Sequence, residues 1–164
     1  MVNWSLVGAI VLPNVGAWTA AITTSLDISG VDWFESIKKP KWSPSDWVIG
    51  TMWTGLYSSM GYASYLVYKD CGGFTEDAVV PLTLYGGQLV INWMWTTVLF
   101  KYQKISLAFY QSLAINTAAT ACTISFYSIN KNTLYFMAPY LGWLSFATFL
   151  NYTYWKLNCS DKKE

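Results

Sequence analysis

Five long stretches of the chain carry no charged side chain, and every charged residue lies between or after them. The uncharged stretches are residues 1–26, 47–68, 78–100, 105–130 and 132–155. Roughly 20 apolar helical residues span a hydrocarbon core about 30 Å thick, and each stretch reaches that length. The pattern predicts an all-α integral membrane protein, a bundle of five transmembrane helices at about 4–26, 46–68, 78–100, 105–128 and 133–156.

The composition favours lipid over water as the solvent of these helices. Charged residues make up 12% of the chain and aromatic residues 18%, whereas about a quarter of the residues in soluble domains are charged. The mean hydropathy of +0.28 is modest, because Thr, Ser, Asn, Gly, Tyr and Trp dilute the stretches without adding charge. The alternative is a soluble all-α protein, but its helices would need polar faces rich in Lys and Glu.

The residue types also limit the chemistry. The chain has no histidine, so it lacks the commonest general base and metal ligand. We expect no metal site, no haem with an imidazole ligand and no other cofactor. Cys122 lies inside a predicted span, so the three cysteines do not indicate a disulfide framework. The net charge of +1 gives no indication of nucleic-acid binding.

The lysines predict the orientation of the bundle. With five spans, the face that holds the N-terminus carries two lysines, Lys69 and Lys131, and the opposite face carries eight. The positive-inside rule places the lysine-rich face in the cytosol, together with the C-terminal tail at 157–164. The first stretch has no basic n-region, and we expect it to be retained as a span rather than removed as a signal peptide. The 164 residues suit a single domain, 1–164.

The first loop, roughly 27–46, is the only long connection between the predicted spans. Pro40 and Pro44 disfavour helix just before them. Trp33, Ile37 and Trp42 give the loop an apolar side, so we expect it to be ordered and to pack on the bundle. Long ordered loops in compact domains are usually functional, and this one is expected to cover a binding site.

Aromatic and polar residues inside the spans predict a cavity. Buried indoles need a hydrogen-bond partner, so five tryptophans are expected to face the bundle: Trp18, Trp53, Trp93, Trp95 and Trp143. Two stripes recur at helical spacing: Tyr85, Gln88, Asn92 and Trp95 on the third span, and Trp143, Ala147, Leu150 and Tyr154 on the fifth. Such stripes can line an apolar pocket with a few hydrogen-bonding groups. Helix packing alone is the other explanation.

The end of the fifth span contains a pattern proposed for cholesterol contact. Leu150, Tyr152 and Lys156 fit the order Leu or Val, then Tyr, then Lys or Arg. That pattern is weak. A tyrosine and a lysine at the end of a span are equally typical of an interfacial anchor.

Several motifs resemble the translocator protein family, also called the peripheral-type benzodiazepine receptor or TspO/MBR family, in its animal mitochondrial type. The resemblance covers essentially the whole chain. Its motifs are Gly61-Tyr62-Ala63-Ser64-Tyr65-Leu66-Val67-Tyr68-Lys69-Asp70, Gly72-Gly73-Phe74, Leu84-Tyr85, Gln88-Leu89, Asn92-Trp93, Pro139-Tyr140-Leu141, Trp143-Leu144, Ala147-Thr148 and Leu150-Asn151-Tyr152.

The resemblance implies a five-helix bundle, usually a homodimer, in the outer mitochondrial membrane with a cytosolic C-terminus. It also implies binding of cholesterol, porphyrins and synthetic ligands of the isoquinoline-carboxamide and benzodiazepine type, surrounded by membrane lipids. The ligand pocket would lie in the cytosolic half under the first loop, at Trp53, Asn92, Trp95, Trp143, Ala147 and Leu150. The cholesterol motif would be Leu150, Tyr152 and Lys156.

The chain departs from the family pattern at a few positions. Phe34 replaces a tyrosine of the first loop, and Gly50-Thr51 replaces Ala-Pro ahead of Trp53. A pocket tryptophan of mammalian members corresponds to Leu107, with Tyr110 nearby. These departures bear on drug affinity rather than on the fold.

Three classes of function compete. The first is a receptor or transport-associated protein that binds sterol or porphyrin. The second is an enzyme that degrades porphyrin in light with Trp53 and Trp143, although the spans hold no acid, base or metal ligand with a tunable pKa. The third is an ion-coupled carrier, which would normally show Asp, Glu or Lys inside the spans.

Overall fold

The computed structural model describes residues 3–159. Within them the chain forms six helices, and the predicted all-α class is confirmed. The helices are α1 (Trp4–Ser25), α2 (Ile28–Ser36), α3 (Asp46–Asp70), α4 (Glu76–Thr96), α5 (Ile105–Ile129) and α6 (Thr133–Cys159). A turn of π-helix, Thr97–Lys101, continues α4. The last five residues of the predicted tail lie outside the described residues.

Five of these helices are long, and they overlap the five predicted spans. They contain 22, 25, 21, 25 and 27 residues. Two features differ from the prediction. The first loop contains the nine-residue helix α2, and the third span ends in a π-turn rather than in α-helix. That the long helices cross a membrane stays a prediction.

Local signals explain several helix ends. The Asn3 side chain accepts a hydrogen bond from the backbone N–H of Leu6 at 3.1 Å and caps α1. Asp27 caps α2 through the N–H of Gly30 at 3.2 Å. At the end of α3, Gly72 and Gly73 adopt φ of 76° and 118°, which glycine reaches without a steric penalty. The turn therefore reverses the chain from α3 into α4.

The five long helices close into a ring. Helix α1 packs on α3, α3 on α6, α6 on α5, α5 on α4, and α4 on α1. The α1–α3 crossing is close because Gly61 lies against the carbonyl oxygen of Ala9. Pro13 has no N–H to donate to the Ala9 carbonyl. This carbonyl can therefore face α3.

The buried residues form two clusters inside the ring. The larger occupies the half of the bundle away from the first loop and includes Met60, Leu89, Ile115, Phe126 and Tyr140. The smaller lies at the loop end, with Leu99, Ile105, Ala108, Leu150 and Tyr154. Together the clusters close the bundle at both ends and leave a cavity between them.

Outward faces of the helices are apolar. Helix α1 buries only Pro13 and Asn14 and exposes Trp4, Val7, Val11, Leu12, Val15, Trp18 and Ile22. Contiguous apolar surface of this kind is rare on soluble monomers and marks contact with lipid or a partner. Among helices of the described residues, Trp4–Ser25 meets the usual limits of length, hydropathy and charge for a membrane span. One such helix is weak evidence by itself.

Candidate functional site

A cavity of about 440 Å³ lies at the loop end of the ring. All six helices and the π-turn contribute to its walls, which are mostly apolar. Its size falls in the range of about 300–1,000 Å³ that is usual for small-molecule sites. Residues 27–45, which we call the cap, form the wall at the end of the bundle and contribute Val31, Phe34, Glu35 and Lys39.

The structure places all six residues of the predicted ligand pocket on the wall of this one cavity: Trp53, Asn92, Trp95, Trp143, Ala147 and Leu150. They come from α3, α4 and α6, which are separate in sequence. Their role in binding stays a prediction.

Two of the wall tryptophans are held in place by neighbours. The ring of Trp53 stacks on Tyr57, with centroids 5.4 Å apart. The indole N–H of Trp95 donates to the carbonyl of Ala108 at 3.2 Å. The first contact lies within α3, and the second joins α4 to α5. These contacts fix the two indole rings in the cavity wall without a ligand.

A buried polar chain closes the floor of the cavity. Asn92 donates through Nδ2 to the hydroxyl of Tyr140 at 3.3 Å, and that hydroxyl donates to Gln88 Oε1 at 2.6 Å. All three side chains are buried. Removing one of these side chains would leave another without a hydrogen-bond partner, at a cost of about 1–3 kcal/mol. The two hydrogen bonds therefore hold Asn92 in one orientation.

Further polar groups on the wall have no protein partner. Among the described residues, Trp93 Nε1, Trp143 Nε1 and Asn151 Oδ1 are buried without a hydrogen bond. Asn151 is 4% exposed, and its Nδ2 is already bonded to Ser112 Oγ and to the carbonyl of Ala147, both at 3.0 Å. These residues line the cavity, but the three polar atoms themselves are covered by neighbouring protein atoms.

The cap is fastened to α6 at three points. The Ser43 and Tyr154 hydroxyls form a hydrogen bond of 2.8 Å. The Trp42 ring stacks on Phe149, with centroids 5.5 Å apart. The side chain of Asn158 bonds the backbone of Lys38. Through these contacts the cap packs on the bundle.

The rim beneath the cap is charged. Glu35, Lys39 and Asp46 line the cavity there, and the Lys39 ammonium lies 4.2 Å from the centre of the Phe34 ring. Cation–π contact of this kind holds a lysine over an aromatic face. The rim is therefore the polar end of an otherwise apolar chamber.

The three residues of the cholesterol pattern do not share one surface. Leu150 lines the cavity. Tyr152 is 40% exposed on the outside of α6, where it packs on Phe109 with centroids 5.6 Å apart. Lys156 is exposed one helical turn further along. A sterol that touches Tyr152 and Lys156 would therefore lie outside the bundle.

Sequence reasoning missed several wall residues. Ala17, Ala20, Ala21 and Thr24 of α1 line the cavity, as does Phe100. The small residues on one side of α1 are a signal that could have indicated them. Phe100 had no such signal, because it reaches the cavity only through the packing of α2 on the π-turn.

Two expectations about individual residues need correction. Trp18 lines the cavity but is 49% exposed, so it does not turn fully into the bundle as predicted, because most of α1 faces outward and only Pro13 and Asn14 of this helix are buried. Leu107 and Tyr110, expected near the pocket, are exposed on the outer surface of α5. Among the family departures, Phe34 and Gly50 do line the cavity.

The cavity shows no arrangement for metal chemistry. In residues 3–159, no group of three or more His, Cys, Asp and Glu side chains is placed to hold an ion. The charged wall residues lie at the rim. The walls offer a ligand apolar area and indole faces, with charged groups at the rim.

Comparison with known proteins gives a consistent result. Residues 9–156 match the model of the TspO/MBR family. The chain is 46% identical over 129 residues to the translocator protein of Homo sapiens, covering 79% of this chain and 76% of that protein. It is 38% identical over 152 residues to the translocator protein of Bos taurus, covering 93% and 89%.

A more distant match extends the same picture. The tryptophan-rich protein TspO of Archaeoglobus fulgidus is 31% identical over 126 residues, covering 77% of this chain and 80% of that protein. The predicted family is therefore confirmed from the motifs to the full length of the helical bundle. The chain belongs to the TspO/MBR family of membrane proteins, in its animal type.

Proposed function

We propose that this protein is a membrane receptor that binds apolar ligands in the cavity beneath the cap. The observation that carries the proposal is the cavity itself, an apolar chamber of about 440 Å³ with indole walls. Its polar groups are few and lie largely at the rim, at Glu35, Lys39 and Asp46, which suits an apolar ligand with one or two polar groups. Porphyrins and synthetic ligands of the isoquinoline-carboxamide or benzodiazepine type have this character.

Sterol is proposed to bind separately, on the outer surface of α6. Tyr152 and Lys156 lie there beside Phe109 and Trp155. The aromatic side chains offer contact area to a ring system, and the lysine lies near the end of the helix, where a sterol hydroxyl would meet the headgroups. The protein would then handle sterol and porphyrin in the membrane of a mitochondrion.

The proposed location is the outer mitochondrial membrane, with α6 ending in the cytosol and the cavity in the cytosolic half. The lysine distribution and the family membership support it. A homodimer is also proposed, on the family resemblance alone. The names of the relatives describe translocators rather than enzymes, which favours a receptor or transport role.

Substitution of Ala147 tests the cavity. In protein purified into lipid, the Ala147→Phe variant places a ring inside the chamber and is expected to weaken binding of protoporphyrin and of an isoquinoline-carboxamide at least tenfold, the size of effect that filling a tightly packed site produces. Fluorescence-quenching titration measures the affinity. The control is Ser145→Phe, which adds a phenyl ring on the exposed side of the same helix.

The result that contradicts the proposal is equal affinity of the Ala147→Phe variant and the wild type for both ligands. A second function would appear in the same samples. If Trp53 and Trp143 act on porphyrin as an enzyme, illumination will bleach bound protoporphyrin in the wild type and not in Trp53→Phe or Trp143→Phe. Stable absorbance in the wild type under light favours the receptor.

A further inference from the structure

The cap meets the bundle at a backbone contact that the ligand-binding proposal does not use. Gly30, in the first turn of α2, lies against the π-turn that ends α4. A Cβ added at Gly30 would stand 2.7 Å from the carbonyl oxygen of Phe100 and 3.1 Å from its carbonyl carbon. Because these are backbone atoms, they cannot rotate away as the end of a side chain can.

A second neighbour confines the same position. The Gly30 N–H donates to Asp27 Oδ1 at 3.2 Å, and a Cβ would stand 3.1 Å from Asp27 Oδ2. Asp27 is the N-cap of α2, so its carboxylate is tied to the helix start. A side chain at position 30 therefore requires the backbone of α2 and that of the π-turn to move apart.

The contact at Gly30 controls where Phe34 lies. Residues four apart share a face of a helix, so Phe34 follows Gly30 onto the side that faces the bundle. Its ring packs 4.8 Å from the Phe100 ring and 5.7 Å from the Tyr154 ring, centroid to centroid. Phe34 and Phe100 both line the cavity. Because Gly30 contacts the π-turn, the rings of Phe34 and Phe100 pack together at the loop end of the cavity.

We propose that Gly30 is a positioning residue that seats α2 on the π-turn, holds Phe34 over the cavity and so limits how fast molecules enter and leave. The part concerning bound ligand rests on the proposed function. The part concerning access to the cavity does not, because it applies equally to the protein without ligand.

Access is measured first without any ligand. Ala147→Cys, in a background of Cys71→Ser and Cys159→Ser, places a thiol on the cavity wall, while the remaining Cys122 is fully buried. The rate of modification by N-ethylmaleimide then reports how often the cavity opens. Addition of Gly30→Ala is expected to raise that rate roughly tenfold, the scale of effect that overpacking a close contact produces.

The matched control is Gly8→Ala, since Gly8 is exposed in α1 and a Cβ there meets nothing within 4 Å. It is expected to leave the rate unchanged. An equal rate for folded Gly30→Ala and its parent overturns the proposal. If Gly30→Ala does not fold, Phe34→Ala tests the same cover without touching the backbone contact; it must raise the rate, and an unchanged rate overturns the proposal.

A ligand arm follows in protein with the native Ala147. Gly30→Ala is expected to release a bound isoquinoline-carboxamide faster, while Gly8→Ala releases it at the wild-type rate. If the wild type binds no ligand at all, the proposed function fails, and the thiol experiment still decides the role of Gly30. If ligand binds but leaves both variants at one rate, the positioning role is wrong and the receptor role stands.

Discussion

The side chain of Asn158 forms two hydrogen bonds with the backbone of Lys38. Its Oδ1 accepts from the Lys38 N–H at 2.8 Å, and its Nδ2 donates to the Lys38 carbonyl at 3.0 Å. The residues are 120 positions apart in sequence, one in the cap and one in the last turn of α6. This pairing also explains why α6 continues to Cys159, beyond the predicted end of the fifth span.

Loss of this pairing is expected to loosen the cap. Asn158→Ala removes both hydrogen bonds to the cap, each contributing about 1 kcal/mol, together with a third bond to the Tyr154 carbonyl within α6. Local opening of residues 37–45 should therefore increase about tenfold or more. Limited trypsin digestion, with cleavage after Lys38 and Lys41, measures the opening. The control is Asn132→Ala at an exposed position of the opposite end. Equal cleavage of Asn158→Ala and wild type would show that the other cap contacts suffice.

The α1–α3 crossing should depend on Gly61. Gly61→Ala sets a methyl group against the carbonyl of Ala9 and 3.0 Å from the Cα of Ile10. Overpacking of this kind costs about 1–3 kcal/mol, and the unfolding temperature in detergent should fall. The control Gly55→Ala meets nothing within 4 Å and should be neutral or slightly stabilising. An unchanged melting temperature for Gly61→Ala would contradict the close crossing.

The orientation can be read from two native cysteines. Cys71 lies at the end of α3 and the exposed Cys159 at the end of α6, so they lie at opposite ends of the bundle. In intact mitochondria, a maleimide attached to a polymer too large for the porins of the outer membrane should label Cys71→Ser, which retains Cys159, and should spare Cys159→Ser until the outer membrane is opened. The reverse pattern would place the C-terminus on the other side.

Labelling of Cys71 should also depend strongly on pH. Partial burial, then the charges of Asp77 and Asp70, raise the pKa of its thiol above the ordinary value of 9.0. Because the thiolate is the reactive form, a raised pKa lowers its fraction at neutral pH, and the reaction should still accelerate as the pH passes 9. Rates of Cys159→Ser in detergent between about pH 7 and 10 measure this. A half-maximal rate reached at or below pH 9 would contradict the raised pKa.

The two proposed ligand sites should be separable. Tyr152 and Lys156 lie on the outer face of α6, away from the cavity lining. The double variant Tyr152→Ala, Lys156→Ala is expected to lose labelling by photo-crosslinkable cholesterol and to bind an isoquinoline-carboxamide as the wild type does. Ala147→Phe should show the opposite pattern. Undiminished cholesterol labelling of the double variant would remove the outer sterol site.

The positions of the long helices were readable from the chain because charge is expensive in lipid wherever it occurs. Each uncharged stretch corresponds to one long helix. Asn92 and Trp95, two members of the polar-aromatic stripe on the third span, lie on the same side of α4 because a helix repeats every 3.6 residues. The six pocket residues were expected from the family resemblance, and they share one cavity wall because α3, α4 and α6 all border that cavity.

Other features depend on contacts between distant segments. Helix α2 lies in a loop whose prolines suggested irregular backbone, and it is held by Gly30 on Phe100 and by Lys38 on Asn158. Spacing within one helix also could not show that Leu150 faces the cavity while Tyr152 faces outward, since that depends on which side of α6 the neighbouring helices cover. By itself the sequence determined the number, length and polarity of the long helices, because these follow from the solvent. Tertiary structure alone decided how the cap sits and which faces enclose the cavity, because these follow from packing between residues far apart in the chain.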